Sequence, residues 1–89
     1  MSIAVSQARA PAAPAPAQRL ESARLSDRLA SLIAAQIDSG ALVAGDRLPT
    51  EQQLAVAHGV SRTVVREAVH QLKSRGLLSS RQGSGVFVA

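Results

Sequence analysis

The chain has 89 residues, ten basic against six acidic side chains, and a formal charge of +4. It has no cysteine, one phenylalanine, no tyrosine or tryptophan, and two histidines. This leaves room for one small domain, excludes disulfides and thiolate metal sites, and argues against base stacking on aromatic side chains as a binding mode. The basic balance points to nucleic acid or an anionic surface as partner. No apolar run is long enough to span a membrane.

Met1 to Leu20 reads as an Ala/Pro-rich disordered tail, with Pro11, Pro14 and Pro16 opposing a continuous helix and Arg9 and Arg19 its only charges. Residues 21–89 form the folded domain. Its first helix is expected to start near Glu21 to Arg24, with Ser22 or Ser26 as cap. Leu25, Leu29, Leu32, Ile33 and Ile37 make its apolar stripe, and Gly40 stops it. Ala41 to Leu48 is a connector that turns at Gly45-Asp46, and Arg47-Leu48 is a candidate short strand. Thr50 followed by Gln53 has the spacing of a capping box for a short second helix ending near Ala57 or His58. Gly59 permits a left-handed exit.

Ser61 then caps a third helix with Val65, Ala68, Val69 and Leu72 on its buried stripe. Gly76 ends that helix. Leu77 to Arg81 and Gly85 to Val88 read as a hairpin, with Val86 and Val88 on one face and Phe87 acting as an aromatic plug over the helices. The expected fold is therefore mainly α with a small β-hairpin: a winged helix-turn-helix of three helices plus a wing.

Arg62 and Arg66 lie in the N-terminal half of the third helix, where they oppose its dipole, so their placement makes sense if an anion docks there. In a helix-turn-helix the second of the paired helices enters the major groove with its N-terminal residues at the base edges. Arg62 and Arg66 suit guanine O6 and N7, Thr63 lies beside them, and Val64 suits a thymine methyl. Thr50, Ser61, Arg47 and Arg75 are candidates for phosphate oxygens. Arg81, Gln82, Gly83 and Ser84 form the wing tip, in reach of a minor groove or backbone. Glu67 braces Arg66 or Arg62, or stays solvated on the flank. His58 and His70 read as surface residues. No catalytic constellation and no metal site emerges, and the Gly-rich tip is not a P-loop because no helix follows it.

Leu48-Pro49, Glu51, Leu54, Gly59-Val60-Ser61-Arg62, Val65-Arg66-Glu67-Ala68, Leu72, Gly76-Leu77 and Gly83-Ser84-Gly85-Val86-Phe87-Val88 together resemble the N-terminal winged-helix domain of the GntR family of bacterial transcription regulators. The resemblance covers about Leu25 to Val88, and the wording Arg62 to Ala68 looks most like the fatty-acid-regulator branch. It implies sequence-specific binding of near-palindromic double-stranded operator DNA, with Arg62 and Arg66 on bases and Gly83 in the wing. Gln52 stands where some members carry a base-reading arginine, which either removes that contact or shifts its preference toward adenine.

The family resemblance also implies a homodimer in the full-length protein, a cytoplasmic, nucleoid-associated location in a bacterium, and no membrane partner. A C-terminal effector and dimerisation domain, binding a small molecule with or without a metal, is expected in the full-length protein. That domain is absent from this chain, which by itself would dimerise weakly or not at all and needs no cofactor. The competing reading is a winged-helix protein–protein interaction module without specific DNA binding.

Overall fold

The computed structural model describes residues 16–89. Three helices, α1 (Pro16–Ser39), α2 (Glu51–His58) and α3 (Arg62–Ser74), precede two strands, β1 (Leu78–Arg81) and β2 (Gly85–Val88). The strands pair antiparallel, with Leu78 opposite Val88 and Arg81 opposite Gly85. Arg47 adds a single antiparallel bridge to Phe87 on the other edge of β2. The architecture is the expected winged helix-turn-helix.

Leu29, Ala30 and Ile33 of α1, Leu54 of α2, and Val64, Val65, Ala68 and Leu72 of α3 form one core, closed by Leu48, Leu78 and Val88. Leu72, Val65 and Ala68 are fully buried, so α3 lies at the centre with α1, α2 and β1 packed against it. The inward residues of α3 recur at the helical spacing of three and four, which leaves its opposite face in solvent.

Four expectations need correction. First, α1 covers Pro16–Ser39, so residues 16–20 are already helical ahead of the expected start. The tail reading for residues 16–20 therefore gives way to helix, while its part over residues 1–15 lies outside the described residues. Second, neither Ser22 nor Ser26 caps α1. Ser26 is buried within the helix and its hydroxyl donates to the Ala23 carbonyl at 3.0 Å, so its polar atom is satisfied locally.

Third, Leu32 is 48% exposed and stands outside the stripe. Fourth, Phe87 does not plug the helices. Val86 packs against the core and Val88 lies in it, so the two-residue alternation of the strand turns Phe87 to the outer face. There the Arg81 guanidinium lies over its ring, 4.5 Å from the centroid.

Candidate nucleic-acid interface

Two caps and a left-handed residue set the angle between α2 and α3. Thr50 Oγ1 accepts from the Gln53 amide at 3.1 Å, and Gln53 Oε1 accepts from the Thr50 amide at 2.9 Å, closing a complete capping box. Gly59 takes φ +65, and its amide is shared between the Ala55 and Val56 carbonyls at the end of α2. Ser61 Oγ then accepts from the Val64 amide at 3.1 Å and starts α3. The connection is short because both helix ends are satisfied within it.

This corner leaves Arg62, Thr63, Arg66, Glu67, His70 and Lys73 on the exposed face of α3. Arg66 lines two neighbouring grooves, one toward α1 with Thr63, Glu67 and His70, the other toward the wing with Arg47, His70, Lys73 and Gly85. It therefore stands at the middle of the face. The groove toward the wing has a volume of about 360 Å³. Lys73 crosses from α3 to β1 and donates to Ser80 Oγ at 2.8 Å. Gln71 ties α3 to α1 by donating to Asp27 at 2.8 Å.

Arg66 has a fixed partner. Its Nε donates to Glu51 Oε2 and its Nη2 to Glu51 Oε1, both at 2.9 Å, in a two-point ion pair from α3 to the first turn of α2. The Arg66 hydrogen bond holds the Glu51 carboxyl below its usual range, and the charges of Arg66 and Arg62 pull the same way. The same hydrogen bond raises the Arg66 guanidinium further. Of the two readings of Glu67 the solvated flank holds, since it is exposed and accepts a long 3.4 Å hydrogen bond from Ser22 on α1, and the brace on Arg66 is Glu51. Nothing in the local sequence signals this pairing, because its members lie on separate helices fifteen residues apart.

Of the other candidates, Thr63 and Arg62 share the exposed N-terminal end of α3, and Gln52 is exposed on α2. Val64 is a correction: it is 3% exposed and belongs to the core, so it offers no methyl group to a groove. Its spacing of four from Ala68 places it on the inner face. The hydroxyl oxygens of Thr50 and Ser61 serve as cap acceptors. Arg75 is the C-cap residue of α3, about 20 Å along the helix from Arg62 by the rise per residue, and the structure does not bring it to the others.

At the wing, the tip runs through Gln82, Gly83 and Ser84, all exposed, with Gly83 at φ +78 and the Ser84 amide donating to the Arg81 carbonyl at 2.9 Å. Arg47 contributes backbone to the sheet edge and side chain to the groove. A Cβ at Gly85 would stand 3.0 Å from Arg47 Nε, and Gly85 has φ +114, so this glycine gives the arginine its passage across β2. Among the described residues no group of three or more His, Cys, Asp or Glu side chains is placed to hold a metal, and no helix is long and apolar enough to cross a membrane.

A putative L-lactate dehydrogenase operon regulatory protein of Escherichia coli K12 is 51% identical over 65 residues, which is 73% of this chain and 25% of that protein. The mannosyl-D-glycerate transport/metabolism system repressor MngR of the same organism is 48% identical over 61 residues, 68% of this chain and 25% of its own. The chain thus spans about a quarter of the length of these curated relatives. Among solved structures, AraR(DBD) in complex with operator ORX1 superposes with a TM-score of 0.71 at 38% identity, covering 73% of this chain and 78% of that one. A Streptococcus agalactiae GntR gives 0.62 at 37% identity, over 76% and 31%. The model for bacterial regulatory proteins of the gntR family matches residues 25–88, which takes in all of α2, α3 and the wing, and the chain belongs to that family.

Proposed function

We propose that this domain reads double-stranded operator DNA sequence-specifically and is the DNA-binding part of a bacterial transcription regulator. The observation that carries the reading is the division of α3: one face is the centre of the core, and the other presents Arg62, Thr63 and Arg66 at its N-terminal end, beside a glycine-tipped wing. An exposed helix on a rigid mount, with arginines where its free amides begin, suits a major groove. The resemblance to AraR(DBD), whose structure contains an operator, supports the same use. Gln52 and Thr63 flank the arginines as further base-reading candidates. Thr50, Ser61 and Arg47 lie toward phosphates, and Arg81 to Ser84 toward the minor groove or backbone.

Within the whole regulator, the reading extends to a cytoplasmic homodimer on a near-palindromic operator, switched by a small-molecule effector bound to a separate domain. The motif wording supports the fatty-acid-regulator branch. The domain itself uses no cofactor and performs no catalysis.

Selection of duplexes from a random pool tests the proposal. With this domain and the full-length regulator compared, a common half-site is expected, repeated with two-fold symmetry in duplexes the regulator selects, and affinity should fall steeply as salt rises. Arg62→Ala should lose about tenfold to a hundredfold in affinity for the selected site and relax preference at one base position. Equal losses on scrambled duplexes would reduce Arg62 to a phosphate contact. Failure to enrich any sequence, with weak and salt-insensitive binding to all DNA, would favour a protein-interaction module instead.

A further inference from the structure

The Glu51–Arg66 pair joins the supporting helix to the reading helix through the one arginine at the centre of the exposed face. Its side chains are 39% and 65% exposed, so the pair contributes little to folding. What it does fix is geometry. A guanidinium offers five N–H donors in a planar fork. Glu51 takes one on Nε and one on Nη2, which leaves Nη1 and the second Nη2 hydrogen as the edge open to a ligand. That end edge is a two-point donor matched to guanine O6 and N7. Ordering a long side chain before docking also removes part of the entropy lost on binding.

Resting on the DNA reading above, we infer that Glu51 is a positioning residue for base recognition: it holds Arg66 so that the end of its guanidinium, and not its side, meets a guanine. The carboxylate gives the inference a sign. Beside a phosphate, a negative charge is repulsive, so if Arg66 only neutralised backbone, removing Glu51 would tighten binding to every DNA. If Arg66 reads a base, removing Glu51 frees the side chain to wander and specificity falls. The capping box at Thr50 and Gln53 holds α2 without Glu51, so the substitution leaves the mount in place.

The test presents the same randomised duplex pool to the wild-type chain, Glu51→Gln, Arg66→Ala and the double variant, with thermal unfolding of each as the control on folding. Base preferences and affinities for selected and scrambled duplexes are read for all four. Glu51→Gln is expected to lose about fivefold in preference at the one position that Arg66→Ala also flattens. Its binding to scrambled duplexes should hold or rise, and the double variant should be no worse in preference than Arg66→Ala. Equal tightening on selected and scrambled duplexes would overturn the inference, as would additive losses in the double variant or a loss at a different base position. A wild-type chain that enriches no sequence would instead overturn the DNA reading itself.

Discussion

The α2–α3 corner and the wing are both small and both basic, yet they are built to different standards of rigidity. The corner is closed by a complete capping box, a left-handed glycine, a serine cap and a two-point ion pair, all within Thr50 to Arg66. The wing is held most closely at its root, where Leu78 and Val88 are buried, the Val88 amide donates to the Asp46 carbonyl and the Leu48 amide to that of Val86, each at 2.8 Å. Its tip has one turn hydrogen bond and four exposed residues, Arg81 to Ser84. Reading a base edge needs side chains held to a fraction of an ångström, whereas following a groove or backbone tolerates adjustment. The rigid corner suits the first task and the compliant tip the second.

The largest effect should come from the core that carries both regions. Leu72 of α3 is fully buried in it, and Leu72→Ala should destabilise the chain by about 2–5 kcal/mol through lost burial and a cavity. Urea unfolding followed by circular dichroism would register it, and in so small a domain the variant should be largely unfolded at room temperature. A smaller, local break is Gly59→Ala. There is space for the added methyl group, but φ +65 is unfavourable for alanine, so a loss of about 1–2 kcal/mol is expected with operator preference impaired alongside. Unchanged stability in that variant would mean that the corner relaxes, and the contrast in rigidity would fail.

Much of this arrangement was legible in the sequence because local rules govern it. Thr50 with Gln53, Gly59, Ser61 and the Val65–Ala68–Leu72 spacing each act through neighbours within a turn or two, and each appears in the structure as its local chemistry implies. Residues 16–20 join α1 because no proline or glycine follows Pro16 before Gly40, so nothing in that stretch opposes a helix. Val64 was assigned outward although its spacing from Ala68 puts it inward. Strand alternation separates Phe87 from Val86 and Val88, but it does not say which face meets the helices, and the two valines take that face. The Glu51–Arg66 contact had no sequence signal, since it exists only once the corner has folded two helices together. Which bases Arg62, Thr63, Gln52 and the wing residues meet is not written in the sequence, because base identity depends on docking against a duplex and not on the chain's own packing.

Arg81 isolates the wing. Its guanidinium rests over Phe87 on the outer face of the hairpin, away from the core, so Arg81→Ala should lower stability by only about 0.5–1 kcal/mol. Its effect on DNA should differ in kind from that of Arg62. No hydrogen bond or ion pair turns its donors toward one acceptor, and a charge at the tip meets phosphate or a groove wall, so its removal should weaken binding by a similar factor on selected and scrambled duplexes. The slope of log affinity against log salt should fall by about one unit. Fluorescence anisotropy titrations across a salt series would measure both quantities. If Arg81→Ala instead flattened one base position and left the salt slope unchanged, the tip would be reading sequence through a held side chain. The cation–π contact with Phe87 would then do for the wing what Glu51 is proposed to do for the corner.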